Sequence, residues 1–271
     1  MKNTAKAPKK QSNFGGIFTA LAIPLSFVTT VLVYLYVFGN PIHFEGNNPE
    51  NLPLPGDYFG IVYKGGPIVP ILMGFFLIVV IFSIERFLAI RRAKGAGSVP
   101  AFVRGLKDKL ANDDVDGALK SCDKQRGVVA NVLRSVVLRY QKVSADKAMT
   151  KEQAMAAIQK EVEDSTSLEL PGLEQNMPIL STLVSCSTLV ALLGTVLGMI
   201  RAFAALANAG APDSVALSAG ISEALVNTAI GIGTSAIAVI TYNYFATQID
   251  HLTFSIDEAG YSIVNTYAEK N

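Results

Sequence analysis

The sequence predicts an all-α membrane protein: four transmembrane helices and, between the second and third, a polar helical insert. Three observations predict it. Only 17% of the 271 residues are charged and 50% are hydrophobic, at a mean hydropathy of +0.37; a soluble domain carries about 25% charge. Four stretches are long and apolar enough to cross a bilayer. Residues 91 to about 178 hold most of the lysines and arginines.

Met1 to Asn13 is polar, with Lys2, Lys6, Lys9 and Lys10 and no acid. Ile17 to Phe38 follows, 22 residues without a charge. At about 1.5 Å of rise per residue it crosses a ~30 Å hydrocarbon core. A secretory signal has a shorter apolar run and a small-x-small cleavage site, which Val37-Phe38-Gly39-Asn40-Pro41 does not cleanly offer, so the stretch reads as an uncleaved span. Pro24 is expected to bend it modestly. Gly39 to Gly66 reads as a loop, with four prolines, three acids and one lysine. Pro67 to Ile90 is the second span, ending at Glu85-Arg86-Phe87 and the basic cluster Arg91-Arg92-Ala93-Lys94. Basic segments stay inside, so both chain ends are expected in the cytoplasm and the acidic loop outside. The chain thus divides into 1–66 (tail, first span and external loop) and 67–271.

Helical periodicity dominates the insert 91–178. Phe102, Leu106 and Leu110 fall on one face, as do Val132, Val136 and Arg139 or Tyr140. Asn112-Asp113-Asp114 reads as a helix start, and Thr150 with Gln153 as a capping box. Glu161, Glu163 and Asp164 read as an exposed helix face in preference to an acidic site. Ile179 to Ile200 is uncharged over 22 residues, and Ala216 to Phe245 carries a single charged residue, Glu223. The two spans, about 179–206 and 215–245, flank a short turn containing Gly210 and Pro212 and so form an antiparallel hairpin. Beyond it, Ile249, Leu252, Ile256, Gly260 and Ile263 continue as an amphipathic helix at spacings of three and four, packing on the insert or on a sister subunit.

Composition excludes several functions. A net charge of +1 is not that of a nucleic-acid binder. Cys122 and Cys186 share neither a disulfide framework nor a metal-ligand spacing, and there are only two histidines. No nucleophile–base pair or phosphate loop stands out; neither an enzyme nor a cofactor is expected.

Glu223 is the residue to explain. A carboxylate in hydrocarbon costs at least ~2.5 kcal/mol, so such residues face a bundle interior or a water-filled path and are functional by default. Removal from water favours the neutral acid, which takes up and releases a proton. The alternative is a glutamic acid bonded to a neighbouring helix for assembly alone. At about 100° per residue, Asn227 lies about 40° from Glu223, Thr234 about 20° and Thr241 about 0°, forming one polar stripe. Gly220, Gly231 and Gly233 allow close helix approach, and Gly194 with Gly198 forms a small-xxx-small face. Counted from Ala211, Thr195 lies 16 residues back and Thr228 17 forward, about 24–26 Å of rise in each case. Repeated around a ring, their hydroxyls would form a polar collar. Arg201 is expected to snorkel to the outer interface.

These residues resemble a known family. Leu192-Leu193-Gly194-Thr195-Val196-Leu197-Gly198-Met199 and Gly220-Ile221-Ser222-Glu223-Ala224-Leu225-Val226-Asn227-Thr228-Ala229-Ile230-Gly231 are similar to two motifs of the MotA/TolQ/ExbB proton-channel family. Glu85-Arg86 and Tyr242-Asn243 resemble two shorter ones. The likeness covers about Pro67 to Tyr244 and is closest to ExbB. It implies an inner-membrane oligomeric ring, a pentamer, around a dimer of a single-span ExbD-like partner carrying an essential Asp. It further implies that proton flow drives this partner, which through a TonB-like protein energises outer-membrane transport. Glu223, Thr195 and Thr228 then match the family's pore positions, with Asn227 and Thr234 along the same lining. A TolQ-like or gliding-type output, or a non-conducting scaffold, stays open. The span Ile17 to Phe38 departs from the family's three-span pattern and carries no transferred function.

Overall fold

The computed structural model describes residues 14–146, 148–207 and 213–270. The lysine-rich start and the Gly210–Pro212 turn lie outside them. Among the described residues the chain is helical: α1 (Phe14–Val33), α2 (Tyr58–Tyr63), α3 (Val69–Lys94), α4 (Val99–Ala111), α5 (Val115–Gln125), α6 (Gly127–Ser144), α7 (Lys151–Glu174), α8 (Met177–Ala207) and α9 (Ser214–Lys270). Four stretches, Gly16–Phe38, Val69–Ala111, Met177–Ala207 and Ser214–Lys270, are long and apolar enough to cross a membrane. The chain falls into two compact units, Met1–Phe82 with Ile179–Val239 and Ser83–Pro178 with Ile240–Asn271.

In the first unit α1, with Pro24 inside it, runs into a π-helical turn at Tyr34–Phe38. Its inner face meets the start of α3. The Thr30 hydroxyl donates to the Pro70 carbonyl at 3.1 Å, and Phe27 meets Phe75 edge-on at 5.9 Å. Val69, Leu72, Val79 and Phe82 of α3 are wholly buried here, whereas Leu21, Leu25, Val28 and Leu32 of α1 are exposed. An exposed apolar face is what a hydrocarbon solvent calls for.

The segment expected to be a loop is more ordered than its prolines suggest. Two 3₁₀ turns, Pro41–His43 and Glu45–Asn47, precede the six-residue α2. Asp57 caps α2 by accepting from the Phe59 and Gly60 amides at 2.9 and 3.1 Å, and its other oxygen lies 2.7 Å from His43 Nδ1. The cap satisfies amides that a six-residue helix cannot satisfy itself. Phe59 closes the segment by stacking on Phe38 with centroids 5.3 Å apart.

The second unit follows the periodicity closely. Leu106, Leu110, Val132, Val136 and Tyr140 are buried, and so are Ile249, Leu252, Ile256 and Ile263 on the last part of α9. Tyr140 and Tyr267 meet edge-on at 5.5 Å. Asp114 caps α5 through the Gly117 amide, and Thr150 with Gln153 forms the expected capping box. Glu163 and Asp164 are exposed on α7, where Glu163 accepts from Gln159 of its own helix. Buried Arg86 and half-buried Glu85 form a knot. The guanidinium, 2% exposed, donates to both Glu85 oxygens at 2.6 and 2.5 Å and to the Leu173 carbonyl at 3.1 Å. Asn176, at φ +66 between α7 and α8, donates to the same carboxylate. A guanidinium whose donors are matched in this way is held at far lower cost than an unpaired one.

Candidate functional site

The site is built on the α8·α9 hairpin within the first unit. Small residues set the distance between the helices. A side chain at Gly194 would meet Asn227 at 2.7 Å, and one at Gly198 would meet the Ala224 backbone at 2.8 Å. Gly220 lies equally close to Ala202, and Gly231 is in contact with Ala191. The partners descend along α8 as they ascend along α9, so the helices run antiparallel. A side chain at Gly233 would meet nothing within 4 Å among the described residues, whereas ones at Gly220 and Gly231 would collide with α8. Gly233 is on the other face of α9.

This seam divides the five candidate residues into two groups. Thr195 and Thr228 meet hydroxyl to hydroxyl across it. Each hydroxyl also lies 3.1 Å from a carbonyl of its own helix, Thr195 from Ala191 and Thr228 from Ala224; with one proton apiece, one hydroxyl donates to its own helix while the other donates across the seam. Both threonines are partly exposed, among exposed Leu192, Val196 and Leu225. The pair is therefore a polar spot on an apolar surface.

Glu223, Asn227 and Thr234 face inward instead, at 5%, 0% and 1% exposure. Thr234 returns its hydroxyl to the Ile230 carbonyl at 2.8 Å. Asn227 donates through Nδ2 to the Gly65 carbonyl at 2.9 Å. Its Oδ1 is buried without a hydrogen-bond donor among the described residues. The amide cannot flip to cure this, because its NH₂ must face the Gly65 carbonyl.

Arg201 corrects the sequence reading. It does not reach outward alone: Nη1 donates to both Glu223 oxygens at 2.5 and 2.6 Å. The side chain of Arg201 is 54% exposed and that of Glu223 only 7%. The sequence reading treated Glu223 as an isolated carboxyl, whereas the structure gives it a guanidinium partner. Gly66 closes the other side of Glu223. It has φ +79, a conformation in which glycine is unstrained, and any side chain on it would collide with the carboxylate. Sequence reasoning missed Arg201 as a partner, and missed Gly65 and Gly66. A signal for the first existed, since the register that pairs Thr195 with Thr228 brings Arg201 to Glu223 six and five residues further out.

No group of three or more His, Cys, Asp or Glu that could hold a metal gathers among the described residues. What the site offers is a half-exposed pair of hydroxyls, a buried carboxylate paired with a half-exposed guanidinium, and a buried amide whose oxygen has no donor among the described residues. Such groups pass, hold or orient protons and water without forming covalent bonds.

Residues 128–258 match the profile described as the MotA/TolQ/ExbB proton channel family. Among curated relatives, the Tol-Pal system protein TolQ of Pseudomonas aeruginosa is 30% identical over 124 residues, 46% of this chain and 54% of that protein. The Tol-Pal system protein TolQ of Haemophilus influenzae is 38% identical over 82 residues, 30% and 36% of the two chains. The biopolymer transport protein ExbB of Pseudomonas putida is 25% identical over 164 residues, 59% and 50%. The chain thus spans about half or less of the length of these three.

Proposed function

Through residues 128–258 this chain belongs to the MotA/TolQ/ExbB proton channel family, and from that premise we propose that it is the proton-channel subunit of an inner-membrane motor. Several copies form a ring, a pentamer, around a dimer of a single-span ExbD-like partner. The proton motive force then moves the partner, and a TonB-like protein carries the work to outer-membrane transport. Both chain ends lie in the cytoplasm, and the chain catalyses no covalent reaction.

The observation that supports this best is the Thr195–Thr228 contact. It places two hydroxyls, able to donate and accept, on a half-exposed face that is otherwise apolar. In a ring that face lines the pore, and the repeated pairs give protons and water a polar step across hydrocarbon. Glu223 with Arg201 sets the field at the outer end of that step, while Asn227 and Thr234 hold the lining from behind. The deep carboxylate of this chain has a partner of its own, so the acid that takes each proton belongs to the single-span chain. A Tol-Pal output is the second reading, favoured by the two TolQ relatives.

The test is to purify the chain with its single-span partner, count the subunits, and measure proton flux in liposomes. Flux is expected for the wild type and is expected to be lost in Glu223→Gln and in Thr195→Ala/Thr228→Val at equal assembly. Flux equal to that of empty liposomes in the wild-type complex would overturn the reading in favour of a scaffold.

A further inference from the structure

We infer that the N-terminal helix is a working part of the polar site, and that Tyr34 is the residue through which it positions that site. What the site does rests on the channel reading above; how the site is held rests on packing alone.

Tyr34 sits in the π-helical turn that ends the first span and is 9% exposed. Its hydroxyl lies 2.7 Å from the Tyr63 carbonyl and 3.0 Å from the Gly66 carbonyl. A phenol has one proton, so one O–H is shared between two acceptors of the same turn. The ring also stacks on Tyr63 with centroids 4.8 Å apart. Tyr34 therefore grips the last residue of α2 and Gly66, three residues before the start of α3, fixing 63–66 from one side.

The other side of the same turn is the polar site. The Gly65 carbonyl takes the Asn227 amide, and the Gly66 α-carbon lies against the Glu223 carboxylate. A side chain at Gly66 would also come within 3.5 Å of Arg201 Nη1. The turn is tight in its own right, with the Gly65 amide on the Val62 carbonyl at 3.0 Å and the Gly66 amide on Tyr63 at 3.2 Å. Four backbone residues thus connect a phenol in the π-helical turn after α1 to three polar side chains on α8 and α9. The connection decides the direction of Asn227: with its NH₂ committed to Gly65, its Oδ1 is the acceptor left facing the buried site. Freed from Gly65, the amide could turn over, and the acceptor would be lost from that position.

The test uses the full-length chain in nanodiscs and in cells with its partner. Tyr34→Phe keeps the ring and its stacking and removes only the shared O–H. Amide exchange across residues 58–69 is expected to speed up at least threefold in Tyr34→Phe and in Asn227→Leu. Unchanged exchange in Tyr34→Phe overturns the positioning; should that variant fail to accumulate, unchanged exchange in Asn227→Leu overturns it equally. Motor output at equal membrane abundance is expected to fall several-fold in Tyr34→Phe, and to fall no further when that change is added to Asn227→Leu. A further, additive fall would mean that Tyr34 acts through folding alone. Full output in Glu223→Gln would remove the channel reading and leave the exchange result to decide the positioning by itself.

Discussion

Arg201 gives one guanidinium nitrogen to both carboxylate oxygens of Glu223, across 22 residues of chain and the turn of a membrane hairpin. The pair joins the later part of α8 to the early part of α9 at the level where Gly66 presses on the carboxylate. Removing one member leaves the other as an uncompensated charge.

Arg201→Leu is accordingly expected to destabilise the protein. Breaking a fully buried pair costs about 3–5 kcal/mol. Arg201 is half exposed and keeps part of its hydration, so the expected loss is lower, about 2–3 kcal/mol on the same scale. Unfolding in detergent micelles measures it, and Glu223→Gln/Arg201→Leu should recover part of the loss. An unchanged midpoint in the single variant would refute the pairing.

Thr228→Val removes a hydroxyl and keeps the shape. Each threonine hydroxyl also lies against a carbonyl of its own helix, so the expected stability cost is about 1 kcal/mol. Proton flux is expected to fall at least tenfold, and Thr228→Ser to retain most of it. Flux in Thr228→Val equal to wild type would show that the hydroxyl contact is not on the path.

The segment between the first span and α3 has a pH limit set by Asp57. The hydrogen bond from His43 and those from the Gly60 and Phe59 amides hold its carboxyl below the ordinary value of 3.8. A depressed carboxylate contributes stability above its unfolded value and loses it as pH falls through the folded one. Amide exchange across 41–63, corrected for its intrinsic rate, is therefore expected to be flat from about pH 7 to 5 and to rise below 3.8, within the range of ordinary and lowered carboxyls. Asp57→Asn should abolish that acid limb; if the limb persists, another group controls it.

Cys122 is expected to resist alkylation. Burial, with Asp123 nearby, pushes its thiol up to about 11, and only the thiolate attacks. In a Cys186→Ala background, iodoacetamide at pH 8 should modify Cys122 far more slowly than a cysteine in a short peptide. Equal rates would contradict the burial.

Much of this was legible from residue order. The spans, the capping box at Thr150 and the buried stripe Ile249–Ile263 follow from periodicity and local capping, which act within a few residues. Thr195 and Thr228 could be paired by counting because an antiparallel hairpin converts sequence distance from its turn into depth. The same counting, extended, would have brought Arg201 to Glu223, but as a lone side chain near an interface Arg201 read as snorkelling. Asn227 meets Gly65 across 162 residues, and no helical period reports such a contact. The six-residue α2 is too short to show a period; its only local signal was Asp57, set among prolines that read as loop.

The seam of small residues has a mechanical consequence. Where a glycine of one helix rests on the other helix, at Gly194, Gly198, Gly220 and Gly231, a slip of one residue along the axis would drive larger side chains into those gaps. Packed interfaces of this kind switch between discrete arrangements and do not slide freely. The hairpin is thus geared to turn or tilt as one piece. Spin labels at positions on α8 and α9 should keep a constant separation through the work cycle, while distances from either helix to its surroundings change.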